Sequence, residues 1–226
     1  MNLAFVLVEP KVAENVGAAA RALCTMGFAE LWLVNSDLHT RPEAHWLAHG
    51  SDHILDNARI FPNLAAVRHS VDLLIGTSAK PRHQRQDWHQ PAALRAVLGN
   101  KGNTVNTAAI VFGREDRGLA NDELALCDLL TGFPMAVTYP SLNLSQAVML
   151  YAWELSGLAQ PTTSRPAAPS ADGLGALRAR LERLLPELDA PAEEKLAQWV
   201  FQRLPLLTDR DIGFLHTLCG NIERKL

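Results

Sequence analysis

Five short apolar runs, each closed by turn residues, set the strongest limit on what this chain can fold into. They are "LAFVLVE" from residue 3, "LWLVN" from 31, "VDLLIGTS" from 71, "AAIVFG" from 108 and "LLTGFPM" from 129. None alternates apolar with polar, so both faces of each strand must be covered, which is the condition of a buried parallel sheet. Parallel strands need long crossovers, and segments of helical length lie between the runs: "NVGAAARALCTMGF" from 15, a stretch near 42–50, "LAAVRHS" from 64, "PAALRAVL" from 91 and "ANDELALC" from 120. A further helix, "LSQAVMLYAWELSGL" from 144, follows the last run. The expected fold class is α/β: a parallel sheet with helices on both faces, occupying residues 1–160.

The composition then changes. "AQPTTSRPAAPSADG" has the Pro, Ser and Thr content of a connection, so a linker is expected over 161–175. From 176 to 226 charged and leucine-type residues recur at helical spacing, interrupted by Pro191 and Pro205. This predicts a C-terminal helical extension of about three helices, packed on the main domain or on a second subunit.

The length of 226 residues suits a single domain with an appendage. A short apolar run at the start, with no basic segment before it, is the pattern of neither a signal peptide nor a membrane span, so a cytoplasmic protein is expected. Cys24, Cys127 and Cys219 lack the spacing of a zinc site or a disulfide framework. The net charge of -3 argues against nucleic-acid binding by bulk electrostatics. A local patch is still available in "KPRHQRQDWHQP", where Lys80, Arg82 and Arg85 accompany Trp88. Such a segment is either a solvated loop or a contact for single-stranded RNA.

Parallel α/β sheets hold ligands at the carboxyl ends of their strands. After the first run comes "EPKVAENVGAAARAL", where Gly17 stands alone and no dinucleotide fingerprint is formed. Arg21 there is either a surface ion-pair residue or an anion clamp at a helix start. After the fourth comes "FGREDRGLANDEL", which crowds Arg114, Glu115 and Arg117 between Gly113 and Gly118, with Asn121 placed to cap the next helix. After the fifth, "YPSLNLSQAV" presents Ser141, Asn143 and Ser145 around Leu142 and Leu144 at the mouth of a helix. A cap needs one such side chain.

Taken in order, "ENVGAAARA", "GTSAK", "VFGREDRGLANDELALCD" and "YPSLNLSQAV" resemble the signature motifs of the TrmH-type tRNA/rRNA methyltransferases of the SPOUT superfamily. The bacterial tRNA 2'-O-ribose methyltransferases acting at position 32, and their paralogues, are similar in these motifs. The resemblance implies a deep trefoil knot, S-adenosylmethionine as cofactor, an RNA substrate (tRNA before rRNA), a homodimer, and no metal. It places Thr77, Ser78, Ala79, Gly113, Phe133, Ser141, Leu142 and Asn143 around the cofactor. Arg21, Asn15, Glu115, Ser141 and Asn143 become the catalytic set: Arg21 as phosphate clamp or base, Asn15 orienting the ribose, Glu115 holding the arginines or the substrate. RNA contacts are expected from Arg21, Arg114, Arg117, Lys80, Arg82 and Arg85.

One stretch departs from that pattern. "HWLAHGSDH" carries His45, His49 and His53 four apart, which a continuous helix would align on one face, as a surface or interface stripe or as metal ligands, but Gly50 is expected to end that helix. The competing functional reading keeps the fold and the cofactor pocket but not catalysis, as an RNA-binding or assembly protein.

Overall fold

The structure is a computed structural model that describes residues 1–78, 88–137, 139, 141–159, 171–190 and 194–226. All five apolar runs are strands: β1 (Asn2–Val8), β2 (Glu30–Val34), β4 (Leu73–Thr77), β6 (Thr107–Phe112) and β7 (Leu129–Thr131). Two short strands without an apolar run of their own, β3 (Arg59–Phe61) and β5 (Trp88–His89), complete the sheet. The order is β3-β2-β1-β6-β4-β7-β5 and every pairing is parallel. β3 and β5 lie at the edges, where a few ladder bonds to one neighbour suffice to define a strand. The late strand β7 enters between the earlier β4 and β5.

Side chains of β1 divide by parity, as a pleated strand requires. Leu3, Phe5 and Leu7 enter one apolar cluster, and Ala4, Val6 and Val8 the other. The first cluster is covered by α1 (Ala13–Thr25), α2 (Pro42–Ala48), α3 (Asp52–Asp56), α5 (Pro91–Gly99) and α7 (Leu144–Leu155). The second lies under α4 (Leu64–Arg68) and α6 (Asn121–Leu126). The sheet is therefore covered on both faces, as the unbroken apolar runs demand.

α1 fixes the position of the site and is itself fixed by α2. A Cβ on Gly17 would lie 1.8 Å from the Ala44 carbonyl oxygen, so the two helices touch backbone to backbone. Gly17 thus serves helix packing. The helix starts at Ala13, which puts Arg21 in its third turn, too far along for the free N-terminal amides to assist it. The three histidines do not share a helix. α2 stops at Ala48, His49 takes a left-handed conformation (φ 42°), Gly50 follows at φ 82°, and α3 begins at Asp52. His45 instead pairs through Nδ1 with Asp52 at 2.8 Å. Among the described residues no group of three or more His, Cys, Asp or Glu is arranged to hold a metal. No helix among them is long and apolar enough to cross a membrane.

The C-terminal segment forms α8 (Leu174–Glu187), α9 (Lys195–Arg203) and α10 (Asp209–Glu223). Leu174, Leu177, Leu204, Ile212 and Cys219 join the same apolar cluster as β1 and α1. The helices dock where strands begin, at the amino edge of the sheet. The Leu174 amide donates to the Thr104 carbonyl at 2.8 Å, and a Cβ on Gly175 would meet Asp72 Oδ1 at 2.6 Å. Arg178 reaches Asp128, whose other oxygen accepts from the Leu74 amide at 2.8 Å. Lys101 is buried and donates to the carbonyls of Pro205 and Leu207 at 2.5 and 2.6 Å. None of the three cysteines forms a disulfide.

Candidate active site

The carboxyl edge of the sheet gathers the loops that follow β1, β6 and β7. Their polar side chains meet in one chain of hydrogen bonds. Asn15 Nδ2 donates to Glu115 Oε1 at 3.0 Å, and Asn143 Nδ2 donates to Asn15 Oδ1 at 3.0 Å. Glu115 Oε2 also accepts the Lys11 amide at 3.0 Å, which pins the loop after β1 to the loop after β6. Asn143 caps α7 at the same time: its Oδ1 accepts from the Ser145 amide and hydroxyl at 2.9 and 2.7 Å, and its amide donates to Gln146 Oε1. The polar series before α7 is thus both cap and site. A single asparagine uses its oxygen on its own helix and its nitrogen on Asn15.

The arginines divide. Arg114 is only 8% exposed and faces inward, with Nε on Glu9 at 2.7 Å and both terminal nitrogens on Glu123 at 2.9 and 3.0 Å. These carboxylates, Glu123 foremost and then Glu9, push its pKa well above the usual guanidinium value. This corrects its expected role as an RNA contact: the guanidinium is spent inside the loop. Glu115 does not hold the arginines either; Glu9 and Glu123 do. Arg117 is 65% exposed and lies 3.9 Å from Glu9. Arg21 is exposed on the stripe of α1 that carries Glu14, Ala18 and Thr25, with no acidic partner among the described residues, whereas Asn15 is buried. Lys80, Arg82, Arg85 and Ala79 fall outside the described residues.

The remaining positions tighten the loops. Thr77 Oγ1 donates to the Val111 carbonyl at 2.9 Å, and the Ser78 amide to the Thr131 carbonyl at 2.8 Å. A Cβ on Gly113 would collide with the Gly118 backbone at 2.1 Å, so glycine is required where the loop turns back on itself. Ala120, and not Asn121, is the cap position of α6; Glu123 accepts its amide at 2.7 Å. Phe133 packs edge-on against Tyr151 at 4.9 Å, and Leu144 is buried in the core, which leaves Leu142 at the loop surface beside exposed Ser141. Among the described residues Trp88 Nε1 is buried without an acceptor, beside Gly132, where a Cβ would come within 3.1 Å of it and within 2.2 Å of the Ser78 carbonyl. A buried donor without a partner costs about 1–3 kcal/mol. An acceptor brought by a ligand would satisfy this donor.

Glu9, Asn35 and Glu123 were not anticipated. Asn35 Nδ2 donates to Glu9 Oε1 at 3.0 Å, and both residues end strands in left-handed conformations (φ 44° and 50°). The available signal was an acid at the carboxyl end of a strand in a chain that also crowds arginines into a neighbouring loop.

The carboxyl-edge loops of this parallel α/β sheet are thus tied together by residues drawn from three separate stretches of the chain. The SpoU rRNA Methylase family model matches residues 2–153, and the chain belongs to that family. A second model, tRNA/rRNA methyltransferase LasT, C-terminal domain, matches residues 171–226. Over its full length the chain is 46% identical to an uncharacterized tRNA/rRNA methyltransferase, LasT, of Escherichia coli, covering 99% of that protein. It is 38% identical over 155 residues to the tRNA (cytidine/uridine-2'-O-)-methyltransferase TrmJ of Citrobacter koseri, covering 68% of this chain and 63% of that one. Among solved structures, a methylase family protein from Haemophilus influenzae superposes with a TM-score of 0.64 at 30% identity, covering 99% of this chain and 97% of that chain.

Proposed function

We propose that the chain transfers a methyl group from S-adenosylmethionine to a ribose 2'-hydroxyl of tRNA, working as a knotted homodimer. The observation that carries this is the hydrogen-bond chain Glu115–Asn15–Asn143, which unites the three loops in which the family resemblance lies. The names of the TrmJ relatives support the ribose hydroxyl and tRNA, and the insertion of β7 between β4 and β5 supports the knot. When bound, S-adenosylmethionine supplies a methyl group already activated on a sulfonium. Trp88 Nε1, Thr77, Ser78, Gly113, Phe133, Ser141, Leu142 and Asn143 would hold it.

The chain's own task is to align and deprotonate a poor nucleophile. Glu115 accepts from Asn15 and thereby fixes which way the Asn15 amide points; Asn143 does the same from the other side. Arg21 stands free on the outer stripe of α1 to clamp the phosphate next to the reacting ribose. A guanidinium does not release a proton in water near neutral pH, so Arg21 is assigned the phosphate clamp, and the hydroxyl proton passes to water as the new O–methyl bond forms and the sulfonium bond breaks. The exposed face of α7, with Leu150 and Trp153, is the natural seam for the second subunit.

The test is transfer of labelled methyl to tRNA and rRNA separately, followed by alkaline hydrolysis, which a 2'-O-methyl group blocks. The expected result is incorporation into tRNA that resists cleavage at one nucleotide. Arg21→Ala should lower transfer by about 1,000-fold with cofactor affinity nearly unchanged. Cofactor binding without transfer to either RNA, or methyl on a base, would overturn the reading.

A further inference from the structure

We propose that Glu9 is a positioning residue for methyl transfer, holding the loop after β6 in the register that keeps Glu115 on Asn15. The proposal rests on the methyltransferase reading above. Glu9 touches none of the three motif side chains Asn15, Glu115 and Asn143. Its carboxylate takes Arg114 Nε at 2.7 Å and Asn35 Nδ2 at 3.0 Å, and lies 3.9 Å from Arg117. One acid thus joins the ends of β1, β2 and β6.

Two features show that this is more than a surface ion pair. The first is backbone geometry. A left-handed conformation is unfavourable for any residue with a side chain, and here both Glu9 and Asn35 adopt it immediately after their strands. Each amide nevertheless extends its ladder, Glu9 to the Val34 carbonyl and Asn35 to the Phe61 carbonyl. The turns present both side chains toward the same point. The second feature is direction. Arg114 adjoins Glu115 in the chain, so an Arg114 fixed on one side by Glu123 and on the other by Glu9 leaves Glu115 aimed at Asn15 and the Lys11 amide. Binding to Arg114 and Asn35 in turn holds the Glu9 carboxyl below the usual carboxylate range, so it stays charged in the working protein. Arg117, tethered only loosely, keeps an exposed guanidinium at the rim.

The experiment compares Glu9→Ala, Glu9→Gln and Asn35→Gly by kcat, KM for tRNA, cofactor affinity and exchange of the Lys11 amide hydrogen. Glycine at 35 accepts the left-handed turn and removes only the side chain. In Glu9→Ala, kcat should fall about 30-fold while KM and cofactor affinity stay within about threefold, and the Lys11 amide should exchange faster. Glu9→Gln, which still accepts one hydrogen bond from Arg114, should recover most of the loss, and Asn35→Gly should cost about threefold in kcat. An unchanged kcat and unchanged Lys11 protection in Glu9→Ala would overturn the proposal. So would a parallel decline of kcat, KM and cofactor affinity that Gln does not rescue. If the unaltered protein transfers no methyl group, the functional reading fails first, and Lys11 protection still decides whether Glu9 registers the loop.

Discussion

The two ends of the sheet treat polar groups in opposite ways. At the amino edge, charge is sealed in: Lys101 and Asp128 are buried, Arg178 is largely covered, and the C-terminal helices form the seal. At the carboxyl edge the same side-chain types are tied into a lattice whose outer members, Arg21, Arg117 and Ser141, face solvent. The ions of the closed end have a single arrangement, because desolvated charges tolerate no loss of a partner. The open end divides its residues into an inner set that aims and an outer set left for a ligand.

The largest expected effect breaks the closed end. Asp128→Ala leaves Arg178 without its carboxylate and should cost about 3–5 kcal/mol in urea unfolding. Burial already depresses the Arg178 pKa, and Asp128 is the principal charge opposing that. The matching cut at the open end should show the reverse pattern. Glu115→Ala is expected to lower methyl transfer about 100-fold, while unfolding free energy changes by about 1 kcal/mol. Equal stability losses in the two variants would erase the distinction between the ends.

The smallest effect is a pH slope. Burial pushes Lys101 down to about 8 from an ordinary 10.5. Between those values the unfolded chain keeps a proton that the folded chain has released, so stability should rise with pH in that window and bear the full burial penalty below 8. Even uncharged, the amine has two N–H groups for the Pro205 and Leu207 carbonyls. Unfolding measured from pH 7 to 10 should show an upward slope in the unaltered protein that Lys101→Met lacks.

Much of the sheet was legible because a strand covered on both faces must be apolar throughout, as "LAFVLVE" and "AAIVFG" are. β5 was not, since Trp88 and His89 form a strand only because β7 lies beside them. The histidine spacing was readable with its break: Gly50 marks the end of the helix, and the structure turns there, with His49 and Gly50 both left-handed. In the site, Asn15, Glu115 and Asn143 came from the resemblance, and the structure adds the order in which they bond. Arg114 had no local sign of facing inward: the acids that claim it, Glu9 and Glu123, lie 105 and nine residues away. The docking of Arg178 on Asp128 is equally non-local, joining residues 50 apart.

The thiols give the molecule a built-in clock for its own opening. Cys219 lies 2% exposed within the C-terminal seal, and Cys127 lies 3% exposed beneath the sheet, where a side chain on Gly76 would strike its sulfur at 2.8 Å. Cys24 is partly exposed and is the most accessible of the three. A thiol reagent added to the native protein therefore meets three sites in sequence, and the interval between the second and third labels dates the detachment of the terminal helices against the parting of the sheet.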